Sequence, residues 1–277
     1  MRRGLILLAL FGIVGCRPKD ARAEGASTET RQSEMSVQNS NPSPMPGVPK
    51  SATVAEAAVP DLPGPERAAA ASARVKPALK LELAAKGLRA GDPVFIRIFK
   101  EERLLELWIR KRETRKYEFF RSWPVAAMSG ELGPKLKEGD GQAPEGFYVV
   151  TPERMKPDSQ FHLAFNIGFP NAYDEAHGRT GTFLMVHGNA VSIGCFAMTD
   201  PKIEEIYTLC ADALAHGQPF IRVHSFPFRM TTERMAAAAG EPWEEFWKNL
   251  KEGYDRFETD RVPPNVRVEG KRYAFDP

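Results

Sequence analysis

The sequence predicts a predominantly β domain with packed helices, preceded by a long segment that has no capacity for a core. Three observations lead there. Short apolar runs punctuated by Gly and Pro extend from Val94 to His224, helical apolar spacing appears twice after Asp200, and no Phe, Tyr or Trp occurs between Phe11 and Phe95. With 277 residues and 42% hydrophobic content, the chain can form one large domain or two small ones.

The first sixteen residues read as a targeting segment. Arg2 and Arg3 form a basic region, Leu5 to Val14 is apolar, and the stretch is too short to span a bilayer permanently. Ile13-Val14-Gly15-Cys16 resembles the lipobox of bacterial lipoproteins, which implies a signal peptide over 1–15 and lipidation of Cys16. The alternative is an ordinary secretory peptide cut after Ala21-Arg22-Ala23. Residues 16–78 are rich in Pro, Ala, Ser, Glu and Gln, a composition expected to form a disordered tether with a reach on the order of 45 Å. The folded domain is expected over 79–277.

That domain opens on a short helical candidate, Leu79 to Gly87. Strand-like runs follow at Val94–Phe99, Leu104–Ile109, Tyr117–Met128, Gly146–Thr151, Gln160–Phe165, Thr182–His187 and Phe220–His224. Turns fall at Gly139-Asp140-Gly141 and Pro144-Glu145-Gly146, and the basic run Arg110 to Lys116 marks a solvated hairpin tip. Asp200 is placed to cap a helix that carries Ile203, Ile206, Tyr207, Cys210 and Leu214 on one side and stops at Gly217. A second helix after Pro242 aligns Trp243, Phe246, Trp247, Leu250, Tyr254 and Phe257 opposite charged residues, which indicates packing on a sheet. A hairpin around Glu269-Gly270 closes the domain.

Charge excludes one class of partner. Lys plus Arg total 38 against 36 Asp plus Glu, so no overall field attracts nucleic acid. Three cysteines are too few for a disulfide framework and fit no zinc spacing, and nothing points to a metal or other cofactor.

Chemistry concentrates between Phe183 and Met198. An apolar strand delivers His187, and a short loop returns through Ser192 and Gly194 to Cys195. This can set imidazole beside thiol, and a neighbouring imidazole can favour the nucleophilic thiolate. The N–H groups of Gly194 and Cys195 could form an oxyanion hole. The competing reading makes His187 a strand-end residue and Cys195 a small buried hydrophobe, or joins Cys195 to Cys210 in a disulfide.

The His187-Gly188 pair followed by Ser192-Ile193-Gly194-Cys195 resembles the signature of the L,D-transpeptidase catalytic domain (YkuD) superfamily. Pro134 to Asp140, Ala143 to Tyr148, Phe169 to Asp174 and Ala176 to Gly181 extend the likeness to its YafK-like branch, which includes an enzyme that detaches lipoprotein from murein. The resemblance implies a β-sandwich with C-terminal helical additions, Cys195 as nucleophile, His187 as base and murein peptide stems as substrate. It also suggests a cleft wall containing His162, Asn166, His177 and Arg179. Arg179 could hold a stem carboxylate, or brace its own loop. Ser192 holds the loop or bonds near the histidine. Two departures stand out: only eight positions separate His187 from Cys195, and Ala197 occupies a position where many members carry Arg.

The expected functions are therefore hydrolysis of a diaminopimelate-centred amide, with release of a murein-linked protein or peptide, transpeptidation, or non-catalytic murein binding by a lipoprotein. The expected location is the periplasmic face of the cell envelope, with the membrane reached through the lipid anchor.

Overall fold

The computed structural model describes residues 62–276, which lie within one unit spanning 58–277. The signal peptide, Cys16 and the tether as far as residue 61 fall outside the described residues. Helix α1 (Gly64–Ala85) begins within the stretch assigned to the tether. Its composition explains why: Pro65 suits a first turn, and the Ala, Arg, Glu, Lys and Leu that follow favour helix. Ala71, Leu79 and Leu83 are buried, and Pro77 is carried inside the helix. The tether boundary expected at 78 is therefore corrected, because small Ala side chains allow close packing without aromatic bulk. Ion pairs from Arg74 to Glu204 and from Lys76 to Asp212 accompany the packing of α1 against α3 (Asp200–Ala215).

Two mixed sheets form the centre. Strands β1 (Val94–Phe99), β2 (Leu104–Arg110), β3 (Tyr117–Pro124), β4 (Gly146–Val150) and β9 (Ile221–Phe226) assemble in the order β3-β2-β1-β9-β4. Within it only β1 and β9 run parallel, with Phe95 opposite Arg222. The second sheet has the order β5-β6-β7-β8, from Met155–Lys156, Ala164–Asn166, Met185–His187 and Phe196–Ala197. These strands are shorter than the sequence suggested at Gln160 and Thr182, since the β5–β6 turn takes up the first and His162 and Phe183 leave extended backbone with φ 66 and 54.

Period-two alternation divides the larger sheet between two cores. Ile96, Ile98, Leu105, Leu107 and Ile109 join Phe165, Val186 and Phe196 of the smaller sheet, with α1 and α3, in the main core. On the opposite side Phe99, Phe147 and Phe226 meet α5 (Glu244–Asp260) and the hairpin formed by β10 (Val266–Glu269) and β11 (Arg272–Phe275). Helices α2 (Ala172–Ala176) and α4 (Thr232–Ala237) were not foreseen, although Asn171 and Asp174 form a capping box on α2. Asp200 does not cap α3. Its carboxylate instead accepts the Asn189 N–H at 2.7 Å, which ties the start of α3 to the loop after His187.

Candidate active site

Strand register brings the chemistry together. In the parallel β7–β8 ladder Val186 lies opposite Phe196 and His187 opposite Ala197, so the chain places Cys195 alongside Met185. Two residues of strand span about 6–7 Å, so thiol and imidazole start from neighbouring positions on one short ladder. The connecting loop stays compact because Gly188 permits close approach: a Cβ there would lie 2.6 Å from Asp200 Oδ1.

The loop is held from within and by the segment around Ser129. Ser192 Oγ donates to the Cys195 carbonyl at 2.7 Å, the loop-holding role among its two expected roles. Gly194 has φ +89, where glycine carries little strain, and its N–H donates to Ser129 Oγ at 2.7 Å. Ser129 in turn donates to the Gly141 carbonyl. In the resting structure the Gly194 N–H is thus taken up by Ser129. The Cys195 N–H has no acceptor among the described residues.

His187 Nδ1 is 2.6 Å from the Gly188 carbonyl. A carbonyl only accepts, so Nδ1 carries the proton and Nε2 is left as the basic nitrogen. Phe161 lies over the ring at 4.8 Å. Burial lowers the imidazole pKa, opposed by the Gly188 contact. Burial also pushes the Cys195 thiol up, with the Met185 N–H and Lys135 acting in the opposite sense. Cys195 Sγ points a weak hydrogen bond at the Phe183 carbonyl 3.5 Å away. Cys195 and Cys210 are both free thiols, so the disulfide alternative is not the state described.

Both residues open onto a cleft of about 420 Å³ lined also by Lys156, Asp158, Ser159, Gln160, Phe161, Phe183 and Met185. Residues 93–223 match the model of the YkuD family, the L,D-transpeptidase catalytic domain. Over 184 residues, 66% of this chain and 74% of the relative, the sequence is 49% identical to YafK of Escherichia coli strain K12, a protein whose name assigns it provisionally to the L,D-transpeptidases. The chain belongs to the L,D-transpeptidase catalytic domain family. That family acts on peptidoglycan. Among solved structures, the helical cell shape determining protein Pgp2 of Campylobacter jejuni matches at 16% identity and a TM-score of 0.40, over 69% of this chain and 80% of that one. Bd1075 of Bdellovibrio bacteriovorus matches at 18% identity and a TM-score of 0.36, over 68% and 83%.

Within this L,D-transpeptidase domain the four residues expected to bind substrate lie outside the cleft lining. Arg179 is buried, donates to Asp174 Oδ1 at 2.8 Å and stacks over Tyr173 and Phe246, which is the bracing alternative. Its guanidinium offsets the burial of Asp174, a carboxyl whose pKa desolvation raises. His177 ends α2 and stacks on Tyr173 at 4.2 Å, with Nδ1 against the Tyr173 carbonyl. His162 Nε2 lies 2.8 Å from Glu204 Oε1, and Asn166 Oδ1 accepts the Gly168 N–H. The sequence reading missed Ser129, Lys156 and Asp158. Only the strand alternation that pairs Met185 with His187 offered a signal for the cleft lining.

Proposed function

We propose that this chain hydrolyses an amide at the diaminopimelate residue of a murein stem through a Cys195 thioester. The observation that carries the reading is the meeting of Cys195 and a singly protonated His187 at one open cleft. Cys195 Sγ gives its proton to His187 Nε2 as sulfur bonds to the amide carbon. The oxygen of the tetrahedral adduct takes the Cys195 N–H. Collapse breaks the C–N bond, and the imidazolium protonates the departing amine. Water then loses a proton to the same nitrogen, adds to the thioester carbon and expels the thiolate, which recovers the proton. No cofactor enters these steps.

Water is favoured over an amine acceptor by the likeness to the lipoprotein-detaching branch. Ala197 supports the choice, because it is buried between His187 and Ala127 and carries no charge to orient a second stem. The same reading puts the protein at the periplasmic face of the cell envelope, lipid-anchored through Cys16, with a murein-linked lipoprotein among its partners. Cys16→Ser then abolishes acyl incorporation and membrane partitioning, and a wild type with no acyl chain disproves the anchor.

Purified protein incubated with murein tests the chemistry by mass spectrometry. Release of a diaminopimelate-linked peptide or protein is expected, and Cys195→Ala abolishes it. New 3-3 cross-links or exchanged terminal amino acids without net release establish transpeptidation instead. Unaltered murein that nevertheless retains the protein establishes the binding-only alternative.

A further inference from the structure

A second cavity shares no lining residue with the catalytic cleft. It measures about 370 Å³ and is walled by β4, β9, the start of α2 and strand β10 of the C-terminal hairpin. The β4–β9 register sets its floor, with Phe147 opposite His224 and Val149 opposite Arg222. Residues two apart on a strand share a face, so Arg222 and His224 leave β9 on the side that carries Phe226 and the second core.

Two polar groups on this wall lack the partners that burial demands. His224 is 1% exposed and makes T-shaped contacts with Phe95 and Phe147 at centroid distances of 4.6 and 4.7 Å. Its Nδ1 has no hydrogen-bond partner among the described residues. Buried polar atoms in native proteins are nearly always paired, so an orphaned imidazole nitrogen on a cavity wall calls for a group from outside the chain.

Arg222 lacks a counter-charge. It donates to the neutral Asn265 Oδ1 at 2.6 Å and lies over Phe220 at 5.0 Å, and no carboxylate pairs with it among the described residues. Arg267, the other cation on the cavity wall, is by contrast held by Glu269 and Asp276. Burial lowers the pKa of Arg222, opposed by Tyr117, and that of His224, with Arg222 and Arg97 acting in the same sense. The wall therefore presents one uncompensated positive charge beside a neutral imidazole. A planar carboxylate matches the guanidinium fork, and the aromatic surface around it suits an apolar body.

We propose that this cavity is a second ligand site, which takes an organic carboxylate with an apolar body. Arg222 pairs with the carboxylate, His224 donates a ring N–H to it, and the body packs on Phe147, Phe220 and Val266. A free aromatic acid and the C-terminal residue of a peptide share this chemistry. Nothing in the assignment depends on the reaction at Cys195.

Titration calorimetry on the full chain tests it with N-acetyl-phenylalanine, 3-phenylpropionate and the carboxamide of each. An acid should bind about tenfold more tightly than its own carboxamide, which keeps the shape and loses the charge. Arg222→Met should bring the acid down to the level of the carboxamide and leave the carboxamide unchanged. The tighter of the two acids names the source, N-acetyl-phenylalanine for a peptide C-terminus and 3-phenylpropionate for a free acid. In protein labelled at histidine nitrogen, the bound acid should shift the NMR signals of His224 and leave those of His187 in place.

Failure of both acids to bind overturns the proposal, as does equal affinity for acid and carboxamide. Tight acid binding that survives Arg222→Met, or a shift at His187 instead of His224, overturns it as well. Acid and carboxamide are compared on one protein, so a variant that folds poorly and loses both cannot imitate loss of the acid alone.

Discussion

Burial moves Cys195 and His187 away from ionisation in opposite directions, the thiol upward and the imidazole downward. The sequence suggested a resting thiolate beside imidazolium. Both directions instead favour a neutral pair, with proton transfer at the moment of attack. Alkylation of folded protein at pH 7 should therefore be slower at Cys195 than at a free cysteine and should keep rising above pH 9. A rate that reaches its plateau below pH 8 would show the ion pair after all. Since protonation removes the base and its pKa is lowered, the acid limb of kcat/KM should fall below the ordinary histidine value of about 6.5. Cys210, wholly buried on α3 with its thiol pushed far upward, should stay unmodified until unfolding. At this scale the catalytic pair was legible because a Cys and a His in one Gly-flanked segment announce their chemistry. Lys156 and Asp158 were not, because nothing local to a charged turn tells which cavity it borders.

Helix α1 shows how an element can be hidden by its own composition. The absence of aromatics was read as absence of structure, yet Ala71, Leu79 and Leu83 are buried in the main core. Alanine favours helix but has no bulk to mark a core-facing side, so the boundary could be found only with α3 in place. Arg67 of α1 donates to the carbonyls of Ser159 and His162 at 2.8 and 2.9 Å, so Arg67→Ala should loosen the Lys156–His162 turn while leaving the catalytic ladder intact. Faster hydrogen exchange confined to that turn, with a raised KM and little change in kcat, is the expected result. The buried Lys100 offers a second element-scale test. Its Nζ lies within 3.0 Å of the Glu131, Gly133 and Ala143 carbonyls and of Glu145 Oε1, while Trp247 of α5 donates to Glu145 Oε2 at 2.9 Å. Desolvation lowers the Lys100 pKa, with Glu145 acting against it. Lys100→Met leaves Glu145 without its counter-charge and should destabilise the protein by about 3–5 kcal/mol in urea unfolding. A change below about 1 kcal/mol would show that Trp247 and the Gly133 N–H suffice.

The molecule as a whole is divided by its larger sheet, with α1 and α3 serving one core and α5 with the C-terminal hairpin the other. Phe257, fully buried, packs on Phe95 and Trp108 at centroid distances of 4.8 and 5.0 Å. Phe257→Ala should therefore cost about 3–5 kcal/mol and lower the melting temperature by roughly 10 °C, without displacing the cleft on the other sheet. Equal loss of catalysis in the folded variant would contradict that separation. The order of the sheet has a further consequence, for biosynthesis. β1 is made early and its parallel partner β9 is made only after the whole catalytic stretch, so the centre of the sheet stays unpaired until late in synthesis. Chain cut short before Ile221 leaves β1 with an open edge and β4 with no neighbour, and such edges pair readily with other chains. An interrupted copy is thus prone to aggregate even though the short sheet that carries Cys195 and His187 has already been made.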